Sequence, residues 1–202
     1  MRVLIPRKTA RNLLLWMQRL FLTCSVTALG YCGFVMADSW AFQLREERQL
    51  ASFLAAHPAS RPVAHPAPRP VTASGLIGRL EIKRLGLSVI VVEGTTPAAL
   101  RRAVGHIEDT ALPGQPGHVG IAGHRDTFFR PLRDIRQGDM ISFTTPSGAF
   151  LYRVVSTTIT SPTDVAIIEP TLTQVLTLVT CYPFNFVGSA PERFIVRAER
   201  II

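Results

Sequence analysis

The chain changes its hydrophobic pattern twice. Residues 20–37 form an apolar run of 18 positions without a charged side chain, at the lower limit of what a bilayer-spanning helix needs. Residues 41–56 then mix Leu44, Leu50 and Leu54 with polar neighbours, which predicts a short helix continuing from the apolar run. From Leu76 onward the pattern shortens. Leu76, Gly78, Leu80 and Ile82 alternate with Ile77, Arg79 and Glu81, the period-2 signature of a strand. Further strands are predicted at 88–92, 118–124, 140–144, 150–156, 175–181 and 194–201, with a helical turn over 97–104. Many short strands in so compact a stretch, with no long helical period among them, predict a mostly β domain closed or nearly closed into a barrel.

Between the helices and the strands lies a linker. Pro58, Pro62, Pro66, Pro68 and Pro70 crowd one short stretch, so an extended, semi-rigid spacer is expected. His57 and His65 fall inside it and read as solvated. The organisation is therefore a basic tail at 1–19, an apolar anchor at 20–37, a helix and Pro-rich linker at 38–75, and a β-barrel domain at 76–202.

Charge sharpens this division. The net charge is +8. Residues 1–19 carry Arg2, Arg7, Lys8, Arg11 and Arg19 and no acid. The strand-rich part is nearly balanced, so the basic character belongs to the tail and argues against nucleic acid as a partner. Basic residues before the apolar run and Asp38 after it place the N-terminus in the cytoplasm and the barrel outside, with the lipid bilayer contacted through 20–37. A cleaved signal peptide with Val35-Met36-Ala37 as its cleavage site is the rival, but the run is long for that role and so is its basic lead.

Of the three cysteines, Cys24 and Cys32 lie in the apolar run and only Cys181 lies among the strands. One thiol cannot staple its own domain. It is either a small buried hydrophobe or a nucleophile. Cys181 ends a strand on which Val175, Thr177 and Val179 share its face, and Arg193 opens the next strand. If the two strands pair antiparallel, Cys181 and Arg193 meet at one end of the sheet, whereas Arg197 lies about 13 Å further along. His124 ends another apolar strand. Thiolate, imidazole and guanidinium together make an acyl-transfer site: the sulfur attacks, the imidazole moves the proton and the guanidinium stabilises the oxyanion. Asp126 is placed to orient the His124 loop. His106 and His118 read as structural. Glu93, Glu108, Asp109 and Glu169 offer oxygens for a calcium ion, but with no EF-hand spacing. No metal and no cofactor is expected.

Thr177-Leu178-Val179-Thr180-Cys181 resembles the Thr-Leu-x-Thr-Cys signature of sortases. Gly123-His124-Arg125 and the downstream Arg193 are similar to that family's His and Arg elements, and Cys181-Tyr182-Pro183 looks like its class D. The resemblance covers residues 76–202. It implies an eight-stranded barrel with short helices, preceded by one transmembrane helix, and a transpeptidase with catalytic His124, Cys181 and Arg193. Thr180, Tyr182, Pro183 and Val187 would contact substrate; that residues 187–191 form part of the groove is expected from their position between Cys181 and Arg193 alone. The implied partners are secreted proteins with a Leu-Pro-x-Thr-Gly-like C-terminal sorting signal and an amine acceptor of the cell envelope. A hydrolytic cysteine peptidase with the same three residues, and a non-catalytic envelope scaffold, remain alternatives.

Overall fold

A computed structural model describes residues 7–56, 75–164 and 166–201. The Pro-rich spacer lies outside these residues. The chain divides into two compact units, at residues 1–41 and 42–202. One helix, α1 (Arg7–Ala56), begins in the first unit and ends in the second. Residues 11–34 of this helix are exposed throughout, and it contains an 18-residue window of mean hydropathy 1.8. It is therefore long and apolar enough to cross a membrane.

In the second unit the strands run β1 (Leu76–Ile82), β2 (Leu87–Glu93), β3 (Val104–His106), β4 (His118–Ala122), β5 (Met140–Thr145), β6 (Gly148–Thr160), β7 (Val175–Tyr182) and β8 (Glu192–Arg200). A short helix α2 (Pro97–Arg102) precedes β3, its first turn capped by Thr96 Oγ1 accepting the Ala99 N–H. The strands close in the order β1-β2-β3-β4-β7-β8-β6-β5. Closure leaves no sheet edge to pair with another chain. Two neighbouring pairs, β2/β3 and β4/β7, are parallel and the rest antiparallel. The expected eight-stranded barrel is present. The sequence predicts a helical turn over 97–104. The helix stops at Arg102, and the three residues after Ala103 are a strand pairing with both β2 and β4.

The core follows the alternation. Leu80, Ile82, Val89, Val91, Val119, Ile121, Phe143, Leu176, Leu178 and Val196 point inward around Phe129 and Tyr152. Tyr152 has no exposed surface and no hydrogen-bond partner for its hydroxyl. Burial pushes this phenol up to about 12 against the opposing pull of Arg200. The Gly114 N–H is near enough to temper that shift without forming a well-aligned hydrogen bond.

A second, smaller cluster lies outside the barrel. Leu50, at 2% exposure, joins Leu76, Ile90, Val92 and Ala103, with Phe42 and Leu54 alongside. Gln43 adds polar ties: its Oε1 accepts the Ile90 N–H at 2.9 Å and its Nε2 donates to the Arg102 carbonyl at 2.6 Å. Residues 42–56 are thus part of the barrel unit. Burying one leucine in such a cluster stabilises by about 2 kcal/mol.

At the other end of the barrel Arg84 grips both oxygens of Asp139, and Asp139 Oδ2 also accepts the Arg136 N–H at 2.8 Å. The hydrogen bond from Arg84 holds this carboxyl below the usual carboxylate range. A depressed folded pKa stabilises the fold above the unfolded value of about 3.9, and that contribution disappears as pH falls through the folded value. The expected result for Asp139→Asn is a lower urea midpoint than wild type at pH 7 and a gap that narrows steadily once pH falls below about 3.9. Parallel curves across that range would refute it.

Candidate active site

The site is built on the outer face of three adjacent strands. On β7 the inward Leu176 and Leu178 are fully buried, which turns Val175, Thr177, Val179 and Cys181 outward. On β8 the inward Val196 and Ala198 turn Arg193, Ile195 and Arg197 outward. The two strands pair antiparallel with Cys181 opposite Arg193. Cys181 and Arg193 are therefore direct cross-strand neighbours, with Cβ atoms about 5 Å apart. Cys181 and Arg193 are both half-buried. The Arg193 guanidinium is steadied from below by the Glu192 carbonyl at 3.0 Å.

His124 arrives from the other side of β7. Strand β4 runs parallel to β7, with Ala122 opposite Val179. The pairing extends one step further: the Gly123 N–H donates to the Val179 carbonyl at 3.1 Å, and Thr180 Oγ1 donates to the Gly123 carbonyl at 2.8 Å. The next residue, His124, is therefore delivered beside Cys181 and left exposed. The predicted strand 118–124 ends at Ala122 instead, because the chain must turn there to present His124. The turn closes with the Phe129 N–H on the His124 carbonyl at 3.1 Å.

Gly123 is required at this turn. A Cβ there would lie 2.6 Å from the Phe129 ring and 2.9 Å from a Val104 methyl, and both side chains are fully buried. The expected result of Gly123→Ala is a shifted His124 and a turnover at least about tenfold lower, since a displacement near 1 Å can cost up to a hundredfold. Wild-type turnover in a peptide-cleavage assay would show that the turn tolerates the methyl group.

Arg125 received no separate role from the sequence, and the structure gives it one. It is 6% exposed. Its guanidinium donates to the Pro183 carbonyl at 2.6 Å and the Phe186 carbonyl at 2.8 Å, and to both oxygens of Asp126 at 3.0 Å. It thus ties the His124 turn to the connection that follows Cys181. The Asp126 hydrogen bond raises the Arg125 pKa, with a smaller contribution from Cys181, and the same bond pulls the Asp126 carboxyl below its usual range. Asp126 acts on the loop through Arg125. No sequence signal marks the partners, because they are backbone carbonyls 58 and 61 residues away.

The other expected substrate contacts divide. Thr180 is 2% exposed and faces the opposite way from Cys181, holding the Gly123 carbonyl. Tyr182 also shares that inner parity, stacking on Phe194 at 6.2 Å and meeting Phe184 edge-on at 6.0 Å. Pro183 follows a cis peptide bond and supplies the carbonyl gripped by Arg125. Val187, 96% exposed, stands on the β7–β8 connection. His106 is buried with Glu93 at 3.1 Å, Thr110 at 2.9 Å and the Ala111 carbonyl at 3.0 Å. His118 is buried between Thr177 Oγ1 at 2.6 Å and the Glu169 carbonyl at 2.9 Å. Among the described residues no three His, Cys, Asp or Glu side chains converge on a metal position.

A model of the sortase domain matches residues 80–201, the whole of this barrel apart from the start of β1. The chain belongs to the sortase family. Sortase D of Bacillus subtilis is 39% identical over 127 residues, covering 61% of this chain and 63% of that protein. Among solved structures, a sortase D5 transpeptidase of Clostridium perfringens superimposes with a TM-score of 0.62 at 28% identity, covering 78% of this chain and 98% of the other. Sortase C1 of Streptococcus agalactiae gives 0.61 at 25% identity, covering 66% and 71%. The chain spans from 35% to 63% of the length of the curated sortases it matches.

Proposed function

We propose that this chain is a membrane-anchored sortase of the class D type: a cysteine transpeptidase that cuts a Leu-Pro-x-Thr-Gly-like sorting signal and passes the acyl half to an amine of the cell envelope. The observation that carries this reading is the outward pairing of Cys181 with Arg193 beside the strand end that delivers His124.

The chemistry then runs in two halves. The Cys181 sulfur attacks the threonine carbonyl, and the negative charge that develops on its oxygen is met by the Arg193 guanidinium. The C–N bond breaks as His124 donates a proton to the departing amine, leaving a thioester on Cys181. An acceptor amine attacks this thioester and loses a proton to His124. The thiolate leaves and the new amide departs. Protons and charge return to the starting state. Arg193 contributes through its planar fork as well as its charge. Arg193→Lys keeps the charge and loses the fork, so a fall of about a hundredfold in kcat/KM is expected in a peptide-cleavage assay. Near-wild-type kinetics would remove Arg193 from this role.

The apolar part of α1 supports anchoring in the membrane, and the basic residues that precede it support a cytoplasmic N-terminus with the barrel outside. The division into tail, anchor, connecting segment and catalytic barrel follows the same reading. The test is a product analysis. The chain is incubated with a sorting peptide, with and without a small amine such as triglycine, and products are weighed by mass spectrometry. A ligated product that rises with amine concentration is expected. Hydrolysed peptide alone, at saturating amine, would favour a peptidase and overturn the transfer step.

A further inference from the structure

The outer face of β6, β7 and β8 forms three successive cross-strand rows. The first is reactive: Cys181, Arg193 and Thr160. The second is largely apolar: Val179, Ile195 and Thr158. The third is polar and cationic: Thr177, Arg197 and Ser156. Successive rows lie two residues apart, so the reactive and cationic rows are about 13 Å apart.

Arg197 has no use in the site described above. It is half-buried, and among the described residues its side chain makes no hydrogen bond and no ion pair, its backbone alone pairing with β6 and β7. Its neighbour His118 supplies no counter-charge. Burial, aided by the charge of Arg197 and opposed by the hydrogen bond to Glu169, pushes the His118 pKa down. The other charged groups on this face do not neutralise Arg197 either. Arg193, four residues back along β8, is itself a cation. Glu199, two residues on, is exposed and stands opposite Arg153 on β6. The connection between β6 and β7 reaches over this part of the face, where the Glu169 carbonyl meets His118. It buries His118 and Thr177 and leaves Arg197 partly open. A partly desolvated guanidinium without a partner is a poor arrangement for stability and a good one for a ligand carboxylate.

We propose that Arg197 is a carboxylate-binding subsite for the retained acyl half of the substrate, reading an acidic side chain four residues before the attacked threonine. The proposal rests on the transpeptidase reading, which says which half stays on the enzyme. An extended peptide advances about 3.3 Å per residue and turns alternate side chains to the same face. With its threonine carbonyl at Cys181, the residue two positions earlier lies over the apolar row, where the signal's proline would sit. The residue four positions earlier lies over Arg197. That residue immediately precedes the leucine, so recognition extends one residue beyond the five-residue signal.

The test uses the full chain in detergent micelles or nanodiscs. Fluorescent peptides carry Asp, Asn or Lys either before the leucine or at the variable position of the signal. Binding is read by anisotropy on the Cys181→Ala chain, and cleavage on the wild-type thiol. Asp before the leucine is expected to bind about tenfold tighter than Lys at low ionic strength, and the gap is expected to narrow in high salt. The same substitution at the variable position shifts binding less than twofold. Arg197→Glu inverts the ranking, so that the Lys peptide binds best. An unchanged ranking in Arg197→Glu overturns the subsite, as does an acid preference at the variable position alone. Acid-dependent binding without any thioester on the wild-type chain would leave the subsite standing and remove the transpeptidase reading. Cleavage without acid preference would do the reverse.

Discussion

Cys181→Ala is expected to abolish peptide cleavage and transfer, with at least about a thousandfold loss in turnover. Among the described residues the other free thiols are Cys24 and Cys32, both on α1, so no second sulfur in the barrel unit can take over the attack. The substitution should leave the fold intact. Cys181 faces outward, is half-buried, and lies outside the clusters that fill the barrel. Its backbone pairing with Arg193 needs no side chain. Two measurements separate the outcomes. Intact mass after mixing with excess peptide reads the covalent step: wild type gains the acyl mass and the variant does not. Thermal melting reads the fold, and a change of no more than a few degrees is expected. Cleavage persisting in Cys181→Ala at above a tenth of the wild-type rate would end the nucleophile assignment. A scaffold protein with a buried, inert thiol makes the opposite prediction, because its thiol would also resist alkylation by iodoacetamide.

Much of this architecture was legible in the residues because it is local. Alternation at Leu76–Ile82 reports a strand wherever the partner lies. The five residues ending in Cys181 carry a pattern that chance rarely supplies. What could not be read was everything set by distant pairing. The three residues of β3 become a strand only because β2 and β4 flank them; the expected helical turn over 97–104 takes in Val104 and leaves Gly105 and His106 unassigned. β6 runs to Thr160, well past the predicted 150–156, because β8 offers a partner along that length. Residues 42–56 look like a generic amphipathic helix. Their docking face is visible only once Ile90, Val92 and Ala103 come together. The same reasoning separates His124 and Arg193 from Arg125 and Arg197. The first two carry motif neighbours. Arg125 is defined by carbonyls that any residue could supply, and Arg197 by the lack of a partner.

His124→Ala is expected to slow both halves of the reaction, by about a hundred- to ten-thousandfold. In the proposed mechanism one imidazole serves in each direction: it gives a proton to the departing amine and takes one from the arriving amine. Its position is set by the β4–β7 pairing, the Gly123 turn and the Arg125 tie, none of which involves the imidazole itself. The loop should therefore stay in place without the ring. That makes chemical rescue a discriminating measurement. Free imidazole added to His124→Ala should restore part of the rate, because the vacated space lies at the solvent-exposed mouth of the site. Single-turnover acylation and the subsequent resolution by amine are followed separately. If only one of them slows, a second group shares the proton traffic. If turnover stays within tenfold of wild type, the proton moves without His124, and the partnership of sulfur, imidazole and guanidinium built on these three strands is wrong in its central member.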